Sequence, residues 1–141
     1  MERDFINAYK KRFFAEHPNA FFYKIPDGWV EDKKGNRYGS ERPFDVVAIS
    51  NGVAYAKEFK FQRGGVTFNI SKAVKPHQLN GLIEASKAGA HASVVLGWRP
   101  SLAVARKYNL SSAKLIVFEW NIETVLHRLS NGIGLIDELV S

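Results

Sequence analysis

The chain reads as one mixed α/β domain, a single sheet with helices packed against it. Three observations predict this class. An opening segment carries apolar residues at helical spacing, two β-rich runs are joined by Asn51-Gly52, and helical and strand-like segments then alternate towards the C-terminus. A length of 141 residues fits one domain spanning 1–141.

Residues 2–16 are expected to form a helix, because Phe5, Ile6, Tyr9 and Phe13 fall on one face, and Pro18 closes it. Ala20 to Ile25 reads as a short aromatic-rich strand. Residues 26–42 hold three Gly, one Pro and many charges, and read as a long loop of a kind uncommon unless functional or mobile. Phe44 to Ser50 and Val53 to Phe61 are strands, and Asn-Gly between such runs is the strongest short-range hairpin signal. Residues 62–74 make a Gly-containing, partly extended connection. Pro76 to Ala88 is a helix with Pro76 in its first turn and Gly89 just past its end. Ala92 to Trp98 is a strand, 100–113 either a strand or a short helix, and Lys114 to Trp120 a strand. Asn121 is placed to cap a helix ending near Asn131-Gly132, and the tail from Ile133 adds a last helical turn.

Composition narrows the function. There is no cysteine, which excludes disulfides, thiolate metal sites and thiol nucleophiles. The apolar runs are too short to span a membrane, and the charged start Met1-Glu2-Arg3-Asp4 has no apolar run behind it, as a secretory signal would. A cytoplasmic, intracellular protein is expected. The net charge of +6 favours a polyanionic partner or a merely solvated surface in about equal measure. Its distribution leans to the former. Lys10, Lys11 and Arg12 share the first helix, Lys33, Lys34, Arg37 and Arg42 crowd one loop, and Arg63, Lys72 and Lys75 flank another.

A two-residue turn at Asn51-Gly52 pairs Ser50 with Val53, Val47 with Ala56 and Asp45 with Glu58. Asp45 and Glu58 are then direct cross-strand neighbours, with Cβ atoms roughly 4.5–5.5 Å apart. Lys60, two residues on, shares their face, together with Val47, Ile49, Ala54 and Ala56, an apolar face that should be covered; Phe59 points into the core on the other side. Facing carboxylates repel, so a half-covered pair needs the Lys60 ammonium or a divalent cation to neutralise it. The plain structural alternative is a rim ion pair in water. Magnesium takes oxygen ligands and keeps several waters. Asp45, Glu58 and the Phe59 carbonyl can supply part of such a shell, with Lys60 close to the metal-bound water, to orient it or to stabilise the charge forming on phosphorus. The reaction class is metal-assisted phosphodiester hydrolysis.

Arg42-Pro43-Phe44-Asp45, followed after twelve residues by Glu58-Phe59-Lys60, resembles the core of the PD-(D/E)XK nucleases. More narrowly it resembles the Holliday junction resolvases of the archaeal and RecU types. Met1 to Asn7 is similar to their first helix, Asp45 to Val53 to their hairpin, and Pro76-His77-Gln78-Leu79 to the start of their next helix. The resemblance covers roughly residues 1–100. It departs from the family where Phe44 separates Pro43 from Asp45, and in the length of the 26–42 segment. It implies a restriction-endonuclease-like sheet flanked by helices and a homodimer that nicks four-way DNA junctions symmetrically, using Mg2+ with Mn2+ able to substitute. It also implies that Glu2 joins Asp45, Glu58 and Lys60, with Glu16 as rival. Gln78 is implied to bond Lys60 or a metal-bound water, local capping being the alternative, and Ser40 to lie near the scissile phosphate, an ordinary turn serine being the plainer reading of it.

DNA contacts are expected from Arg3, Lys10, Lys33, Lys34, Arg37, Ser40, Arg42, Arg63, Lys72 and Lys75. Trp29 and Tyr38 either stack on bases or pack back on the domain, and strands beyond residue 90 are the expected dimer surface. The four histidines have no metal-ligand spacing and read as structural or surface residues. Two other readings stay open: a restriction-like, repair or phage nuclease with the same core, and a junction-binding protein that does not cut.

Overall fold

In the computed structural model, the residues described are 2–26, 28–31, 33–40, 42–110 and 114–131, with backbone alone for 2, 28–31, 37–40 and 131. The first helix, α1 (Glu2–Glu16), forms where the apolar spacing places it, and Phe5, Ile6, Tyr9 and Phe13 are all buried. It is followed by β1 (Phe21–Lys24) and then by a two-stranded ribbon of β2 (Gly28–Glu31) and β3 (Arg37–Ser40). The ribbon corrects the long loop expected over 26–42. Trp29, Val30 and Tyr38 favour strands, and Gly35, at φ 82°, sits in the connection between them.

The main hairpin, β4 (Val46–Ser50) and β5 (Val53–Arg63), turns at Asn51 and Gly52, whose φ values of 51° and 77° are the left-handed pair a tight hairpin turn requires. The expected register holds from Ser50↔Val53 to Val46↔Lys57. The chain continues through α2 (Ile70–Ala73), α3 (Pro76–Lys87), β6 (His91–Arg99), α4 (Leu102–Lys107), β7 (Ile116–Asn121) and α5 (Ile122–Asn131). The 62–74 connection thus contains a short helix, capped by the Asn69 side chain, which accepts from Ser71 N and Lys72 N. The ambiguity over 100–113 resolves into α4, capped by Ser101; 111–113 and the tail from Ile133 lie outside the described residues. Asn121 caps α5 as expected, accepting from Thr124 N at 2.8 Å.

The sheet order is β1-β4-β5-β6-β7, antiparallel throughout except for the parallel pair β5–β6. The expected mixed sheet flanked by helices is the architecture found. Alternation along the strands divides the core in two. On one face, α1 packs Phe5, Ile6, Tyr9 and Phe13 against Val46, Ala48, Phe59 and Val95. On the other, Ile70, Val74, Leu82, Ile122 and Val125 pack on Ala56, Val94, Leu96 and Trp98. Residues 92–98 of β6 are all buried, as a central strand covered on both sides should be. The cover of the α3-side face stops short of β4's far end, where Ile49 remains 44% exposed, correcting the expectation that this whole face is covered. Among the described residues no helix is long and apolar enough to cross a membrane.

Gly81 brings α3 against the segment leading into β4. A Cβ there would lie 2.5 Å from Pro43 Cβ and 2.6 Å from Pro43 O. Gly81→Ala should therefore push α3 off that segment and cost about 1–3 kcal/mol, the usual penalty of overpacking, measured by urea unfolding.

Candidate active site

At Asp45 the hairpin departs from its ladder. Val46 is the ladder partner of Lys57, yet Asp45 N also donates to Lys57 O at 3.1 Å, so two residues of one strand face one of the other. This is a β-bulge, a device that re-aims a side chain. The expected direct pairing of Asp45 with Glu58 is thereby corrected, though the two carboxyls still meet. Asp45 Oδ2 accepts from Phe59 N at 2.8 Å, and Arg42 Nη2 lies 3.0 Å from Asp45 Oδ1. The Asp45 carbonyl accepts from Ile25 N at 2.7 Å, which ties the residue to the end of β1.

Glu58 is 1% exposed. Its Oε2 lies 3.1 Å from Lys60 Nζ, while its Oε1 is buried with no hydrogen-bond partner. Burial pushes the Glu58 carboxyl up to about 7, and the Asp45 charge adds to this while Lys60 opposes it. A proton on Glu58 permits an acid–carboxylate bond to Asp45, which raises it further. The site thus retains either a proton or some other positive charge.

Lys60 is positioned from two sides, by Glu58 and by Gln78 Oε1, which accepts from Lys60 Nζ at 3.1 Å. The same Gln78 oxygen accepts from Lys75 N at 3.0 Å, so Gln78 caps α3 and holds Lys60 at once. The sequence left these as alternatives. Phe59 turns its ring to the α1 side, edge-on to Phe5 and Tyr9.

The rival acids separate by position. Glu16 shares its turn with Phe13 and His17, which meet Tyr55 (ring centroids 5.5 Å) and Ser50 (Nδ1–Oγ 3.0 Å) beside the hairpin turn. Five residues of strand, roughly 16 Å, separate Ser50 from Asp45. That removes Glu16 as rival. Glu2 opens α1 at the end where Phe5 meets Phe61 (6.5 Å), on the sheet face opposite Glu58; its side chain lies outside the described residues.

Of the basic residues expected to meet DNA, Arg3, Lys33, Lys34, Arg63, Lys72 and Lys75 are exposed, and Arg42 is joined to Asp45. Lys10 lies over the Phe14 and Phe22 rings on the α1 side, away from the carboxylates. The side chains of Arg37, Ser40, Trp29 and Tyr38 lie outside the described residues.

A second buried charge escaped the sequence reading. Lys57, 4% exposed, faces the α1 side over Tyr9, Phe13 and Tyr55 and pairs with Glu119. Glu119 also accepts from Tyr9 OH at 2.6 Å and Ser93 Oγ at 2.7 Å. Burial works against its ionisation, but the Lys57 charge and these hydrogen bonds outweigh it and hold the carboxyl below its usual range. Nothing in the local pattern signals a partner 62 residues away.

Among the described residues no group of three or more His, Cys, Asp or Glu could hold a metal ion. Asp45 and Glu58 nevertheless fit a hard divalent cation: two carboxylates, one with a buried oxygen that no protein donor satisfies. Fold and site together define an α/β protein with an acid pair and an adjacent lysine on one covered sheet face. No family model and no curated protein matches the sequence. Among solved structures the chain is similar to Hjc, a Holliday junction resolvase from the archaeal hyperthermophile Archaeoglobus fulgidus. The identity is 13%, the match covers 83% of this chain and 77% of that one, and the TM-score is 0.43. A likeness of that size carries no argument about activity.

The raised Glu58 carboxyl has a consequence for stability. The folded state holds a proton that the unfolded chain releases between the ordinary value of 4.5 and about 7. Stability from this group is full below that window and lost as pH rises through it, by an amount on the order of a few kcal/mol. Urea unfolding without divalent metal should show this slope in the wild type and not in Glu58→Gln.

Proposed function

We propose that this chain is a magnesium-dependent endodeoxyribonuclease that resolves four-way DNA junctions by paired nicks. The observation that carries the reading is the convergence of Asp45, Glu58 and Lys60 on one sheet face, with a Glu58 oxygen buried and unsatisfied. Support also comes from the Arg42 to Asp45 and Glu58 to Lys60 segments, which resemble the PD-(D/E)XK core in the same hairpin context.

Asp45 and Glu58, with the Phe59 carbonyl as a further ligand in this reading, would hold Mg2+ or Mn2+; Glu2 opens α1 on the opposite sheet face and is not counted among them. When bound, the cation supplies Lewis-acid polarisation of the phosphodiester and acidifies the attacking water. The Phe59 N–H fixes one Asp45 oxygen, so that carboxylate is oriented before any ligand arrives. Lys60 donates to the charge that builds on the phosphoryl group, and Gln78 keeps the ammonium from collapsing wholly onto Glu58. Exposed Arg3, Lys33, Lys34, Arg63, Lys72 and Lys75 suit contacts to the DNA backbone. Recognition of a branch through shape and phosphates needs no base reading. Two symmetric nicks require two active centres, hence a homodimer. A protein of this kind works on DNA inside the cell.

The test is incubation of a labelled fixed four-way junction with Mg2+ beside linear duplex and single-stranded controls. Symmetric nicks confined to the junction are expected. Asp45→Asn should lower the rate by more than about a thousandfold, and Lys60→Ala by about a hundredfold or more. Cutting of every substrate would leave a nuclease without junction selectivity, and tight binding without cutting would return the acid pair to a structural role.

A further inference from the structure

Both oxygens of Asp45 are already engaged. Oδ2 accepts from Phe59 N at 2.8 Å, a bond held by the β5 backbone, and Oδ1 faces the Arg42 guanidinium at 3.0 Å. Glu58 is different, with Lys60 on one oxygen and no protein donor to the other. A cation held by the pair would meet an open oxygen on Glu58 and an occupied one on Asp45. The two groups on Asp45 are not equally free to leave. The Phe59 N–H belongs to a central strand, whereas the Arg42 side chain is 35% exposed and three residues from Asp45 in the segment before β4. Of the two, Arg42 is the group freer to leave.

A displaced guanidinium needs another anion, and a DNA phosphate is the anion that the proposed reaction brings. Arginine meets phosphate through two parallel hydrogen bonds, at least as well as it meets a carboxylate. We propose that Arg42 is a positioning residue that couples metal to substrate. Without DNA it neutralises Asp45 and competes with the cation; with DNA it transfers to a phosphate and frees Asp45. This rests on the proposed metal-dependent reading and adds that metal and DNA bind cooperatively through one side chain. By linkage, each must tighten the other by the same factor.

The experiment is calorimetric titration of Ca2+, a hard oxygen-seeking cation, into the full chain with and without an intact four-way junction. The proteins are wild type, Arg42→Gln, Arg42→Lys, Lys24→Gln and Asp45→Asn. Lys24→Gln controls for loss of any positive charge nearby, since Lys24 pairs in the sheet with Val46, next to Asp45. In the wild type, junction DNA should tighten Ca2+ by about fivefold or more, the low end of coupling between sites. Arg42→Gln should bind Ca2+ more tightly than wild type when DNA is absent, and should lose most of the DNA enhancement. Arg42→Lys should fall between the two, and Lys24→Gln should keep the wild-type enhancement. Unchanged or weaker Ca2+ binding by Arg42→Gln alone, or an undiminished DNA effect in it, would overturn the proposal. If Asp45→Asn binds Ca2+ as the wild type does, the metal reading beneath it fails instead.

Discussion

Glu58 is a carboxyl group in the middle of a sheet core, and the cost of keeping it there organises the surrounding structure. An ionised carboxylate taken out of water without full compensation is expensive, so the protein must supply positive charge, hydrogen bonds or a proton. Lys60 reaches one oxygen, held in place by Gln78, and Asp45 stands close enough to compete for the same compensation. Arg42 then answers Asp45. Each group is there because the one before it carries a charge that burial leaves unbalanced.

Adjacent residues of β5 show that this imbalance is local and not a habit of the fold. Lys57 and Glu58 are both buried, on opposite faces. Lys57 is fully answered: Glu119 pairs with it, Tyr9 and Ser93 complete the Glu119 oxygens, and three aromatic rings line the ammonium. That network lowers the Glu119 carboxyl, as a satisfied ion pair should. Glu58, one position along, is raised and has an oxygen without a donor. A satisfied buried pair serves the fold. An unsatisfied one in the same strand points to a ligand, and that is Glu58, not Lys57.

Much of the scaffold was legible because it is coded by short-range rules. Helical spacing set α1, Asn51-Gly52 set the hairpin, Asn121 set the start of α5, and Pro76 and Gly89 bounded α3. Errors fell where local signals conflict. Gly and charge across 26–42 hid the β2–β3 ribbon, and a short helix over 70–73 was masked by its Gly-rich approach. In the site, strand alternation placed Glu58 and Lys60 on one face, but it carries no information about the bulge that lets two residues face Lys57.

The sequence by itself determined the hairpin register from the turn as far as Val46, the shared face of Glu58 and Lys60, and the helix that presents Gln78, because turn chemistry and side-chain periodicity act over a few residues. Burial of Glu58, the removal of Glu16 and the pairing of Lys57 with Glu119 were decided by packing between segments far apart in the chain. Gly81 shows the reason in one contact. Its missing side chain lets α3 approach Pro43, in the segment that leads into Asp45, and the first turn of the same helix carries the Gln78 that holds Lys60. Local rules specify which groups a strand offers to a face; tertiary packing decides how much water they keep, and with it their charge.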